Sequence, residues 1–188
     1  MTRLPKPFET ISNVNFSLQL HDREDYEKCE FINCIFTDIS NLNFINCTFK
    51  NSNLSNCKVH NVKLQDVEFI DCKLLGVNFF QAKDFAFAVF CEKSNLDYAS
   101  FDSKKLNKSE FKFCKMHEVN FTNADLSKTT FKDCDLYEAI FDKTNLSGMD
   151  FTSSANFAID PEINNIKKAK FLSQDLFRLL TRHDIIIE

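Results

Sequence analysis

Residues 96–151 read LDYAS FDSKK LNKSE FKFCK MHEVN FTNAD LSKTT FKDCD LYEAI FDKTN LSGMD F, and each group of five begins with Leu, Met or Phe. The same spacing holds from Phe44 to Phe79, where every fifth residue is again apolar. An α-helix repeats every 3.6 residues and a β-strand every 2. Apolar side chains at every fifth residue therefore require a chain that turns a corner once per repeat, which is typical of a solenoid.

A second inward position precedes each of these apolar residues by two places, and it is small or apolar in most repeats, as in Cys114, Val119 and Ala124. Two inward positions separated by one polar residue indicate a short extended segment followed by a turn. Because Phe alternates with Leu or Met through residues 96–151, a four-sided winding would stack like residues twenty apart. We predict an all-β solenoid of about 5.5 coils and about 26 Å in length, at roughly 4.8 Å per coil.

The repeats resemble the pentapeptide-repeat family, whose motif is a small residue, Asn or Asp, then Leu or Phe, and two polar residues. Residues 124–128, ADLSK, and residues 52–56, SNLSN, match this motif, and the resemblance runs from about Cys29 to Ser153. It implies a right-handed quadrilateral β-helix with four repeats per coil. We therefore divide the chain into an N-terminal cap (1–28), a pentapeptide-repeat β-helix (29–153) and a C-terminal capping and dimerisation module (154–188).

The C-terminal segment resembles the corresponding module of the Qnr quinolone-resistance proteins and of the microcin B17 and albicidin immunity proteins, through residues 160–164, DPEIN, and 167–171, KKAKF. We predict a short helix from about Ser173, with Ser173 as its N-cap and Asp175 in its first turn, and a final strand over residues 185–187. The resemblance implies a head-to-head homodimer, and a monomeric cap is the alternative. The expected dimerisation residues are Phe171, Leu172, Leu176, Phe177, Leu180, Ile185 and Ile187.

The five-residue spacing is interrupted twice, by eight residues from Phe36 to Phe44 and by seventeen from Phe79 to Leu96. For the first interruption we predict a small bulge over residues 38–43, with Ile39 inward. In the second, Asp84 falls on an inward position, where a lone carboxylate would be costly. Either a short loop carries Asp84 outward, or Asp84 forms a partly buried ion pair with Lys104, twenty residues later.

The sequence shows no arrangement typical of an enzyme or a metal site. The eight cysteines mostly lie two residues before an inward apolar residue and include no CxxC pair, so we interpret them as small apolar side chains and expect no metal. Nucleophile elbows, phosphate loops and paired catalytic carboxylates are missing from the sequence, and we expect no catalytic residue and no cofactor. With no apolar run near the roughly 18 residues of a membrane span and no secretory pattern at the N-terminus, we predict a cytoplasmic protein that does not bind membranes.

The distribution of charge is uneven along the chain. Residues 116–151 carry seven acids and three lysines, whereas residues 93–115 carry six lysines and three acids. An ordinary solvated surface is one interpretation, and an acidic surface that presents a DNA-like field to a basic groove is the other. The formal net charge of −4 predicts that the protein does not bind nucleic acid directly.

The resemblance to Qnr and to the immunity proteins implies a partner, a type II topoisomerase (DNA gyrase or topoisomerase IV) protected from a quinolone or peptide poison. The short second interruption favours the immunity proteins over the quinolone-resistance branch, whose protective members carry long loops. A non-enzymatic structural adaptor for an unrelated partner is the alternative. The expected partner-binding residues are Gln81, Lys83, Asp84, Phe85, Asp102, Glu118, Asp125, Asp135, Glu138 and Asp142.

Overall fold

The computed structural model describes residues 9–18, 23–183 and 185–186. Its strands are short and parallel, as expected for a chain that turns every five residues. They are β1 (Glu9–Ser12), β2 (Asp25–Glu27), β3 (Cys29–Ile32), β4 (Asn43–Ile45), β5 (Thr48–Lys50), β6 (Lys63–Gln65), β7 (Val67–Ile70), β8 (Val89–Glu92), β9 (Glu110–Lys112) and β10 (Thr130–Lys132). Three 3₁₀ helices cover Phe79–Gln81, Ser173–Leu179 and Thr181–His183.

The strands stack into a four-sided parallel β-helix, which confirms the predicted fold. A seven-stranded sheet, β1-β3-β5-β7-β8-β9-β10, forms face I, and a three-stranded sheet, β2-β4-β6, begins face IV. Faces II and III are held by single parallel bridges such as Lys115↔Asp135 and Ser100↔Asn120. The chain passes through faces I, II, III and IV in turn, so residues twenty apart pair in the regular coils.

The core consists of columns of like side chains, as the alternation in the sequence predicts. On face III the ring of Phe121 stacks on Phe101 at 5.6 Å and on Phe141 at 5.4 Å between centroids, with near-parallel planes. On face I, Phe111 and Phe131 meet edge to face at 5.5 Å. Each inward residue from Leu96 to Phe151 is buried, so the columns exclude water along the axis.

The corners lie two residues after the inward apolar residue and adopt a positive φ, as at Asn123 (56°) and Glu138 (54°). Asn and Asp tolerate this left-handed conformation better than other residues with a Cβ, and they supply many of the corners. The sequence therefore forms its turns with only two glycines, Gly76 and Gly148.

Both interruptions change the length of one coil by two residues. Ile35 pairs with Asn53, eighteen residues on, whereas Asp38 pairs with Lys58, twenty residues on. The side between residues 35 and 38 is therefore two residues shorter, and the predicted bulge over residues 38–43 is wrong, although Ile39 is buried as expected. At the second interruption, Val67 pairs with Val89, 22 residues on, so this coil contains two inserted residues.

The two ends differ from the sequence-based predictions in detail. Strand β1 already pairs with β3, so coil packing begins inside the segment assigned to the N-terminal cap. At the other end the predicted helix is a 3₁₀ helix whose N-cap is Leu172 rather than Ser173, and no side chain caps it. Asp175 lies in its first turn, as expected. Ile185 and Ile186 are not in a strand, and Ile187 lies outside the described residues.

Candidate protein-interaction surfaces

The two-residue insertion forms a short loop on face IV, residues 84–87, which we call the face IV loop. Phe87 is buried in place of Asp84, and its N–H donates to the Asp84 carbonyl oxygen at 3.2 Å. Ala86 takes a positive φ of 58°. This turn leaves the Asp84 side chain 80% exposed and Phe85 79% exposed. The loop predicted around Asp84 is therefore present, and it displays an aromatic ring.

Lys104 holds this loop from inside the coil. Its side chain is only 2% exposed, in a column of small residues, and its Nζ donates to Asp84 Oδ1 at 2.6 Å and to the Ala82 carbonyl oxygen at 2.5 Å. The ammonium also lies 5.4 Å from the centre of the Phe87 ring. Both alternatives predicted for Asp84 are therefore present: a short loop carries its carboxylate outward, and the same carboxylate pairs with the buried Lys104 ammonium.

Four of the expected partner-binding acids border face III. Glu118 and Glu138 occupy successive corners between faces II and III, whereas Asp102 and Asp142 lie in the turns between faces III and IV, two coils apart. We call these four residues the acidic edge. None of the four forms an ion pair with another described residue. Successive corners on a β-helix are about 4.8 Å apart, so the edge concentrates uncompensated negative charge.

Two exposed tyrosines border the acidic edge and were missed in the sequence analysis. Tyr98 lies in the corner column below Glu118, and Tyr137 directly precedes Glu138. A hydrogen bond to Glu118, and then the charge of that carboxylate, raises the pKa of Tyr98; Glu138 raises the pKa of Tyr137 in the same way. The signal was available in the sequence, because Tyr98 holds a corner position and Tyr137 the outward position before a corner.

The other predicted acids lie elsewhere and have partners. Asp135, on face II, lies 2.7 Å from His117 Nε2 and accepts a hydrogen bond from Asn156. Burial works to raise the pKa of Asp135, but its hydrogen bonds with His117 and Asn156 outweigh burial and lower it.

Asp125, on face IV, accepts hydrogen bonds from the Ser127 N–H and the Asn145 side chain. The backbones of Lys115 and Asp135 pair on face II, but the Lys115 ammonium binds the buried Asp97 carboxylate at 2.7 Å.

The remaining predicted positions flank the face IV loop. Gln81 is exposed at the corner of faces III and IV. Lys83 is half-buried on face IV, and its Nζ donates to Asn43 Oδ1 at 3.3 Å. Gln81 and Lys83 therefore lie beside Phe85, and Asp102 lies one coil further along the same corner of faces III and IV. Glu118, Glu138 and Asp135 lie on another side of the rod, so the structure disperses the predicted partner-binding set.

The C-terminal end carries exposed apolar side chains. Phe171 is half-buried and stacks on Phe151 at 5.3 Å, so it closes the core. The other expected dimerisation residues within the described chain are exposed: Leu172, Leu176, Phe177, Leu180 and Ile185. Arg182 Nη1 binds Asp160 Oδ2 at 2.5 Å and ties the terminal 3₁₀ helix to the last coil.

Among the described residues, no group of three or more His, Cys, Asp and Glu side chains is placed to hold a metal ion. Within the same residues, no helix has the length and apolar character needed to cross a membrane.

Comparison with known proteins identifies the family. The sequence profile for "Pentapeptide repeats (8 copies)" matches residues 28–66, and that for "Pentapeptide repeat region" matches residues 62–141. Among curated proteins, none matches the sequence significantly.

Among solved structures, a trypsin-treated variant of QnrB1, a plasmid-mediated fluoroquinolone resistance protein, aligns at a TM-score of 0.51 and 20% identity over 95% of this chain and 97% of that one. Full-length QnrB1 aligns at 0.51 and 20% identity, over 94% and 98% of the two chains. The periodic sequence, the four-sided coil and these matches together show that the chain belongs to the pentapeptide-repeat family and has a Qnr-like β-helix.

Proposed function

We propose that the protein binds a type II DNA topoisomerase, DNA gyrase or topoisomerase IV, and protects it from a quinolone or peptide poison. The observation that carries this proposal is the acidic edge, Asp102, Glu118, Glu138 and Asp142, on a rod with the fold of a fluoroquinolone resistance protein. A topoisomerase groove that receives DNA is basic, and a complementary charged surface is recognised by the same field.

The like charges on successive corners of the acidic edge are unfavourable for the β-helix itself. Glu118 and Glu138 are like charges on adjacent coils, and like charges directly opposite one another destabilise a sheet. Duplex DNA carries about one charge per 1.7 Å, whereas one column of this rod can offer at most one per roughly 4.8 Å. The edge is therefore a sparse DNA mimic whose affinity depends on each of its few charges.

The face IV loop and the C-terminal end supply two further parts of this proposal. Phe85 is an exposed aromatic ring on a loop fixed from below by Lys104, and such rings anchor protein interfaces. We further propose that Leu172, Leu176, Phe177 and Leu180 join two rods end to end as a homodimer. Exposed apolar patches of this kind mark association surfaces, and a two-fold rod would present two acidic edges.

The test is a gyrase supercoiling assay in the presence of a quinolone, with and without the protein at micromolar concentration. The variant Asp102→Asn/Glu118→Gln/Glu138→Gln/Asp142→Asn is expected to lose protection. Its matched control, Asp66→Asn/Asp71→Asn/Glu92→Gln/Asp133→Asn, removes four charges from other sides of the rod and is expected to retain protection. If the wild-type protein neither binds gyrase nor alters its poisoning by a quinolone or a gyrase-directed peptide, the proposal is wrong and an adaptor role is favoured.

The dimer is tested separately by sedimentation. We expect Leu176→Asp/Phe177→Asp to sediment as a monomer and Phe113→Asp, an exposed aromatic residue on the side of the rod, to sediment as the wild type does. A monomeric wild-type protein at micromolar concentration would contradict the end-to-end dimer without bearing on the acidic edge.

A further inference from the structure

Face IV and its corner with face I carry six lysines that the linear sequence disperses over more than a hundred residues. Asn78 pairs with Ser100, so Lys83 and Lys105, each five residues further on, lie on adjacent coils. Lys63 lies one coil before Lys83. In the corner column between faces IV and I, Lys108 and Lys128 lie on successive coils and Lys168 lies two coils beyond Lys128, past Gly148. We call these six residues the lysine stripe.

The lysines of the stripe share one side of the rod and, within the described chain, lack carboxylate partners. Other described lysines also lack such partners but lie on several sides of the rod, whereas the ammonium groups of a third set each meet a carboxylate: Lys28, Lys50, Lys112, Lys115 and Lys170. None of the six stripe lysines does so among the described residues. Three acids share the surface, Asp66, Asp84 and Asp125, of which Asp84 is engaged by Lys104 and Asp125 by Asn145 and Ser127.

The residues beside the stripe favour a phosphate backbone over an acidic peptide. Ser127 and Ser147 lie in the adjacent column of face IV and have hydroxyls that can donate to phosphate oxygens, as Ser side chains commonly do. The exposed Phe85 ring lies 5.9 Å from Lys63 Nζ. An aromatic ring beside a row of lysines is typical of single-stranded nucleic-acid binding, where a base stacks on the ring and the lysines follow the backbone.

We propose that face IV binds single-stranded nucleic acid, with the backbone along the lysine stripe and a base on Phe85. From Lys63 to Lys168 the stripe spans five coil steps, about 24 Å at roughly 4.8 Å per coil. That length corresponds to a segment of several nucleotides. The proposal departs from the sequence-based prediction of no nucleic-acid binding, which considered only the net charge. It shares the Phe85 ring with the proposed topoisomerase interface, but its lysines are not part of the acidic edge, so the stripe variant tests it separately.

The experiment is a fluorescence-anisotropy titration of a labelled 20-nucleotide single-stranded DNA at several salt concentrations. The test variant is Lys105→Gln/Lys108→Gln/Lys128→Gln. The matched control, Lys58→Gln/Lys73→Gln/Lys93→Gln, removes the same charge from faces II and III and from the corner of faces I and II. Counterion release predicts that losing three phosphate contacts weakens binding about 100-fold at 0.1 M salt and makes the slope of log K against log salt shallower by about 2.

A third variant, Phe85→Ser, tests the stacking contact. It is expected to weaken single-stranded binding about tenfold or more and to leave the salt slope unchanged, since it removes no charge. Circular dichroism of each variant establishes that the coil is intact.

The proposal is overturned if the wild-type protein does not bind the DNA at 50 mM salt, or if the control loses as much affinity as the stripe variant. It is also overturned if polyglutamate of equal charge competes as well as unlabelled DNA, which would identify an acidic protein segment as the ligand. Duplex DNA that binds as tightly as the single strand, with no effect of Phe85→Ser, would refute the assignment to single strands.

Discussion

The contact between Lys104 and Asp84 should couple the stability of the β-helix to the face IV loop. We propose a double-mutant cycle with Asp84→Asn and Lys104→Met, the latter chosen because it keeps an apolar stem in the core. Breaking a fully buried pair costs about 3–5 kcal/mol, whereas exposed pairs contribute about 0–1 kcal/mol. Here the ammonium is buried and the carboxylate is 80% exposed, so an intermediate value is expected.

Asp84→Asn should therefore destabilise the protein by about 1–2 kcal/mol, since the ammonium keeps the Ala82 carbonyl and gains an amide oxygen. Lys104→Met leaves that carbonyl without its donor, at a cost of about 1–3 kcal/mol. In the Lys104→Met background, Asp84→Asn should change the free energy of unfolding very little, because the ammonium with which the Asp84 carboxylate pairs has been removed. The coupling energy should thus be about 1–2 kcal/mol.

The assay is urea unfolding followed by circular dichroism at pH 7, supported by melting temperatures, which should shift by about 2–4 °C per kcal/mol. Lys105→Met, at the exposed neighbouring position, is the control and should change stability by no more than about 0.5 kcal/mol. If Asp84→Asn lowered the free energy of unfolding equally in the wild-type and Lys104→Met proteins, Asp84 and Lys104 would not interact, and Lys104 could not be what holds the face IV loop.

Three further predictions concern the cysteines, the corners and the C-terminal end. Burial raises the pKa of the Cys47, Cys57 and Cys72 thiols to about 12. A thiol reagent at pH 8 should therefore label the native protein slowly, whereas it should label all eight cysteines rapidly in guanidinium chloride. Rapid labelling of the native protein would contradict the burial of these three thiols. Gly148→Asn should cost about 1 kcal/mol or less in thermal unfolding, because an added Cβ meets nothing within 4 Å and Asn tolerates the positive φ of 73°. Gly76→Asn should destabilise more, because its added Cβ would lie 2.3 Å from Asn56 Oδ1, and the reverse order would contradict this interpretation of the corners. A hydrogen bond from the Glu162 N–H, and then Arg182, lower the pKa of Asp160 in the folded protein. The contribution of the Asp160 carboxylate to stability is therefore present above its unfolded pKa of about 4 and is lost as the pH falls through the lower folded pKa. Asp160→Asn should lower the melting temperature more at pH 7 than at pH 2, and an equal decrease at both pH values would contradict this prediction.

The columns of the core could be predicted because their signal is local and repeated. Phe121 and Phe141 stack as expected from the alternation of Phe with Leu or Met, and many independent repeats support the same register. The interruptions were less predictable, because the sequence gives only their net length. Whether residues 38–43 bulge or the preceding side is shortened depends on which backbone groups pair, and those pairs are set by the neighbouring coils.

The surfaces could be predicted only in part. Glu118 and Glu138 lie on successive corners, whereas Asp125 lies on face IV and Asp135 on face II. The linear analysis grouped these acids because they are close in the chain. A coil of twenty residues returns each side chain to its own face, so residues five apart point to different sides while residues twenty apart are neighbours.

The sequence by itself determined the solenoid, its inward residues and its corners, because an apolar residue in every group of five can be buried only if the chain turns once per repeat, and the alternation of Phe with Leu or Met favoured four sides. Only the tertiary structure decided how the charges are sorted. The two-residue insertion makes Lys105, rather than residue 103, the neighbour of Lys83, so Lys63, Lys83 and Lys105 lie on one face. It also turns the Asp84 carboxylate outward, where it meets the buried Lys104 ammonium.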